Sequence, residues 1–135
     1  MDKTIEKKKV VSFRDLDVYQ RSYQDALSVM KNIVPDLPDS EKYDLKDQLS
    51  RSSKAIPRLI AEGYAKRHQK FGFQKYLDDA MAESNETVVS LSQCLDIYGA
   101  HIDKQLCEAL INNYDITGRQ LYKLAESWNR FKKNK

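Results

Sequence analysis

One spacing constrains this chain more than any other feature. Phe73, Leu77, Ala80, Ser84, Val88, Leu91, Leu95 and Tyr98 follow one another at steps of 4, 3, 4, 4, 3, 4 and 3. Steps of three and four place all of these side chains on one side of an α-helix, close to the seam of a coiled coil. A helix with such a seam must bury it against other helices.

Three more stretches share the rhythm. From about Leu16 to Val34, Tyr19, Tyr23, Ala26, Leu27, Met30, Ile33 and Val34 recur, with Ser12 and Asp15 set as a capping box and PDLP (Pro35 to Pro38) as a stop. A second helix, starting at Asp39 or Ser40, aligns Leu45, Leu49, Ser52, Ile56, Leu59, Ile60 and Gly63. After Gly99, Asp103 can cap a fourth helix carrying Leu106, Leu110, Asn113, Thr117, Leu121, Leu124, Trp128 and Phe131. The pattern predicts one all-α domain over residues 1–135, an antiparallel up-down-up-down four-helix bundle. Its helices span about 13–34, 40–67, 72–98 and 103–131, with loose ends at 1–11 and 132–135.

Charge is segregated along this frame. Residues 48–76 carry seven basic groups and one acidic, residues 77–118 one basic and eight acidic, and residues 119–135 six basic and one acidic. In an up-down bundle the two basic segments meet at one end. Arg51, Lys54 and Arg58 project from the polar side of the second helix, and Arg119, Lys123 and Arg130 from that of the fourth. Lys66, Arg67, Lys70 and Lys75 surround the turn between the second and third helices. Such a basic pole attracts nucleic-acid phosphates by counterion release. The same charges also suit a plain solvated surface, since cations complement the C-terminal ends of helices. Tyr64, Phe71 and Tyr76 lie near the basic turn, where aromatic rings either stack on unpaired bases or are buried.

Signs of catalysis and of bound metal are missing. His68 and His101 flank opposite turns, Cys94 and Cys107 lack metal-ligand spacing, and the acidic run Asp78, Asp79, Glu83 and Glu86 reads as a solvated helix face. No glycine-rich phosphate loop occurs. The expectation is a protein without catalytic residues, metal or cofactor, with both cysteines buried in the core. MDKTIEKKKVV is followed by no apolar run, and no stretch approaches the roughly 20 residues that cross a bilayer, so a cytoplasmic, membrane-free protein is expected.

The segments SFRDLDVYQRSY, EKYDLKDQLSRSSKAIPRLIAEGYAKR and FQKYLDDAMAESNE resemble the 23S rRNA intervening-sequence protein family, also called the four helix bundle protein family. The most specific piece is the S-x-x-I-P-x-x-I-A-E-G core: Ser53, Ile56, Pro57, Ile60, Ala61, Glu62 and Gly63. Leu59 stands where the family usually has Asn, and Tyr19 where it has Trp. The chain also looks similar to the accessory variability proteins of diversity-generating retroelements. The resemblance implies a homopentamer of bundles from bacterial rRNA-gene insertions, without established enzymatic activity. It further implies a basic surface that binds RNA or DNA and a reverse transcriptase. The residues expected to contact phosphate are Arg51, Lys54, Arg58, Lys66, Arg67, Lys70, Lys75, Arg119, Lys123 and Arg130. Ile56, Pro57, Glu62 and Gly63 are expected to be architectural, with Gly63 admitting a neighbouring backbone and Glu62 pairing with Arg58. Pro57 should leave the carbonyl of Ser53 to a serine hydroxyl or water. The alternative is a structural or adaptor oligomer that binds a protein partner.

Overall fold

A computed structural model describes the backbone of residues 9–133 and the side chains of residues 9–130. Among these residues all regular structure is helical: α1 (Asp17–Ser28), α2 (Leu45–Ala65), α3 (Gly72–Tyr98) and α4 (Lys104–Lys133). Of the ends expected to be loose, residues 1–8 and 134–135 lie outside the described residues, and α4 runs past the expected end at 131.

The capping box forms, on a short 3-10 turn ahead of α1. Ser12 Oγ accepts from the Arg14 N–H at 3.2 Å, and Asp15 Oδ2 accepts from the Ser12 N–H at 3.0 Å. Leu16 is extended, so the helix expected from residue 13 begins at Asp17. Beyond Ser28 the chain widens into a π-helical turn (Val29–Ile33) and tightens into a 3-10 turn (Val34–Asp36), Pro35 being unable to donate to a continuing α-helix.

The second helix starts later than expected. Asp39–Glu41 is a separate 3-10 turn, and α2 opens at Leu45, whose N–H is held by Glu41 Oε1 at 3.1 Å. Neither Asp39 nor Ser40 caps it, because Glu41 already satisfies the first N–H while its other oxygen accepts from the Tyr98 hydroxyl of α3. Asp103 does cap α4, Oδ1 accepting from the Leu106 N–H at 3.1 Å.

Packing sharpens the seams. On α3 the buried positions are Phe73, Leu77, Ala80, Ser84, Thr87, Leu91 and Cys94, an unbroken 4-3-4-3-4-3 repeat, joined by Ser90. Thr87 and Cys94 take the places expected for Val88 and Leu95, which are half-buried. Thr87 earns its position by hydrogen bonds at 2.9 Å with Ser52 Oγ and 2.8 Å with the Glu83 carbonyl. Both cysteines are buried and free, and Cys107 Sγ donates to the Leu91 carbonyl at 3.3 Å.

On α1 the expected stripe is rotated. Val18, Ser22, Asp25 and Ala26 face the core, followed by Val29 and Ile33, whereas Tyr19, Tyr23, Leu27 and Met30 turn toward α2 and line a shallow groove with Pro57 and Ala61. A helix with two apolar faces hides which one is the core. The true core face includes a carboxylate: Asp25 is 7% exposed, with Oδ1 accepting from Asn113 Nδ2 of α4 at 3.1 Å.

The I-P-x-x-I-A-E-G core behaves as scaffold. Ile56, Pro57, Ile60 and Gly63 are all buried. A Cβ on Gly63 would lie 2.6 Å from Tyr76 Cβ and 3.1 Å from Phe73 Cδ1, so α3 crosses α2 at the glycine. Ser53 Oγ donates to the Leu49 carbonyl at 2.6 Å, the acceptor one turn back on its own helix. One expectation is corrected. Glu62 forms no ion pair with Arg58 among the described residues; its charge acts on Lys66, one turn later.

Candidate nucleic-acid interface

The ten cations singled out in the sequence fall into three settings. The first is the α2–α3 turn. Here α2 ends at Ala65, two residues before the expected Arg67, and Gly72 sits so close to the Lys66 carbonyl that a Cβ would approach it to 2.1 Å. The tight turn gathers Lys66, Arg67, Lys70 and Lys75 around aromatic rings. Lys66 Nζ donates to the Tyr76 hydroxyl at 2.7 Å and lies 5.0 Å from that ring's centroid, with Lys75 Nζ at 6.0 Å. The bond to Tyr76, assisted by the charge of Glu62, holds Lys66 above the ordinary lysine value, so it stays cationic.

Arg67 is anchored. Its guanidinium lies 4.0 Å over the Tyr64 ring and Nη1 donates to the Tyr64 carbonyl at 2.8 Å. Tyr64 itself is buried against Phe73, which in turn meets Trp128 of α4 edge to face at 5.2 Å. Of the three aromatics near the turn, Tyr64 is therefore core, Tyr76 is half-buried under two ammonium groups, and Phe71 is exposed.

The second setting is the outer face of α2. Arg51 Nε pairs with Asp47 Oδ2 at 3.0 Å, while Lys54 and Arg58 rim the α1–α2 groove. These cations also face acid: burial and the adjacent Glu86 hold the Glu83 carboxyl of α3 above its ordinary value, against the opposing pull of Arg51 and Arg58. The third setting is α4, where Arg119 and Lys123 border a groove with Met81, Asn85 and the exposed Tyr122, and Arg130 stands exposed near the helix end.

None of the four cations at the turn forms an ion pair among the described residues. Arg67 and Lys70 share a cavity with Phe71, Gln74, Trp128 and Asn129, the Asn129 amide donating to Gln74 Oε1. Sequence reasoning placed the end of α4 at this pole but missed the two amides, since their spacing does not say which side chains meet there. It also missed Asp25, whose place in the core becomes evident only with Val18, Ser22 and Val29 buried beside it.

No helix among the described residues is long and apolar enough to cross a membrane. A family model described as 23S rRNA-intervening sequence protein matches residues 14–123, which include α1, α2, α3 and the basic turn. No curated protein matches the chain.

Proposed function

The chain belongs to the 23S rRNA-intervening sequence protein family, and from that premise we propose that it binds the phosphate backbone of RNA or DNA, without catalysis, through the basic end of an antiparallel up-down-up-down bundle. The topology is supported by cross-helix pairs whose numbers fall on one helix as they rise on the next: Ser52 with Thr87 and Gly63 with Tyr76, then Ser84 with Tyr114 and Gln74 with Asn129. In that arrangement the α2–α3 turn and the end of α4 share one pole.

The observation that carries the reading is the turn itself. Lys66, Lys70 and Lys75 are exposed there, and no ion pair is made by any of them among the described residues. Cations held without carboxylate partners release counterions when phosphate arrives, which gives affinity without base readout. Arg58→Glu combined with Arg119→Glu tests the wider patch, and Lys70→Glu combined with Lys75→Glu tests the turn. Filter-binding titrations should show weaker RNA binding in both, with the larger loss at the turn. Unchanged affinity in the turn variant counts against the proposal.

A second reading, a self-associating adaptor for a protein partner, is favoured by the α1–α2 groove. Tyr23 is exposed beside Met30 and Leu27, an apolar lining of about 420 Å³ rimmed by Lys54 and Arg58. A second copy of this chain seated there would cover those two cations and leave the turn open, so oligomer and nucleic-acid binding are compatible. Met30→Asp should lower the mass found by light scattering if the groove holds the copies together; an unchanged mass excludes it.

A further inference from the structure

The cavity between the α2–α3 turn and the end of α4 has a volume of about 550 Å³. Phe71 and Trp128 supply aromatic surface, Arg67 and Lys70 positive charge, and Gln74 and Asn129 donors and acceptors. Phe71 combines two unfavourable features. Its backbone is left-handed, with φ of 58°, alone among the described non-glycine residues, and the residue is 64% exposed with the Lys70 ammonium 5.5 Å from the ring centroid. Bulky residues avoid that backbone region, and strain of this kind concentrates where ligands are held. The core does not account for it, since the ring is no part of the buried cluster. Gly72, pressed against the Lys66 carbonyl, fixes the turn that presents the ring.

We propose that this cavity takes one unpaired base of a single-stranded nucleic acid, stacked on Phe71, with the flanking phosphate on Lys70. The proposal rests on the reading that the basic end binds nucleic acid, and it narrows the substrate to single strands. Within a duplex both faces of each base are covered by neighbours, so an exposed ring gains nothing from it without unstacking. In a single strand every base offers a face, which makes stacking tolerant of sequence. An apolar peptide side chain would fill the cavity only by stripping water from Lys70 and Arg67 with no anion in return.

Trp128 is the sole tryptophan and lines the cavity, so its emission reports occupancy. The full chain is titrated with a short oligothymidylate and with a blunt DNA duplex of the same length, at one salt concentration. The single strand should bind about tenfold tighter and quench Trp128, the duplex binding without quenching. Phe71→Ala should weaken single-strand binding by about 5- to 150-fold, the worth of one stacked base, and leave duplex binding unchanged. Phe71→Tyr should restore affinity. Phe71→Gly should lose affinity while raising the unfolding temperature, because glycine accepts the left-handed backbone, so that lost binding cannot be lost folding. Equal affinity for strand and duplex, or unchanged single-strand affinity in Phe71→Ala, overturns the stacking site while salt-dependent duplex binding leaves the basic-end reading standing. Binding of neither probe overturns both.

Discussion

Adding one methyl group at Gly63 and one at Gly118 should have opposite effects on stability. At Gly63 the new Cβ would meet Tyr76 Cβ at 2.6 Å and Phe73 Cδ1 at 3.1 Å, against a comfortable carbon separation of about 3.5 to 4.0 Å. The nearer atom is itself a Cβ, fixed to the α3 backbone, so no rotamer change relieves the clash and α3 must move by roughly 1 Å. Overpacking of this kind costs about 1 to 3 kcal/mol. Alanine regains up to about 1 kcal/mol of helix propensity, leaving Gly63→Ala destabilised by up to about 2 kcal/mol. At Gly118, inside α4, a Cβ would have nothing within 4 Å, so Gly118→Ala keeps the propensity gain uncancelled. Urea unfolding followed by circular dichroism and by Trp128 emission, at one fixed protein concentration because self-association would shift the midpoint, should place the two variants on either side of the parent chain. A Gly63→Ala variant as stable as Gly118→Ala would refute the close crossing of α2 and α3.

Two further outcomes follow from groups inside the core. Burial raises the Asp25 carboxyl above its ordinary value of 3.8, outweighing the Asn113 hydrogen bond and Arg21, and Oδ2 has no hydrogen-bond partner among the described residues. Its folded value lies above its unfolded one, so its contribution to stability is complete below 3.8 and is lost as pH rises through the raised value. Asp25→Asn should therefore gain on the parent chain as pH climbs from 3.8 through the raised value in urea titrations; a stability difference between the two that does not change with pH contradicts this. Burial also pushes the Cys94 thiol up to about 12 and Cys107 up to about 11. Ellman's reagent should label neither in the native state and both at the rate of unfolding, and prompt native labelling would place a thiol at the surface.

The helices were legible because their apolar spacing is regular, and Gly63 was legible because a glycine on a buried stripe has few other uses. The errors came from treating polarity as a guide to direction. Val88 and Leu95 looked like seam residues, yet the strict repeat belongs to Thr87 and Cys94, since a threonine bonded to Ser52 and its own helix is as well satisfied inside as an aliphatic residue outside is tolerated. On α1, aromatic Tyr19 and Tyr23 outweighed Val18, Ser22 and Asp25 in the pattern, although the latter face the core. Asp39 and Ser40 were sound local caps overruled by Glu41, whose link to Tyr98 is a tertiary fact. At the site, charge could be counted from the sequence but its neighbours could not. The pairing of Arg51 with Asp47 is readable as an i,i+4 pair, whereas the opposition of Arg58 to Glu83 and the amides beside Phe71 depend on which helix lies alongside.

The most direct test of nucleic-acid binding at the basic end is the salt dependence of affinity for a single-stranded RNA of arbitrary sequence. If Lys66, Lys70, Lys75 and Arg130, all exposed, each neutralise one phosphate, the logarithm of the binding constant should fall linearly with the logarithm of salt, with a slope near about −3 per subunit, at roughly 0.7 per phosphate. Absence of binding at low salt, or binding with no slope, would contradict the account.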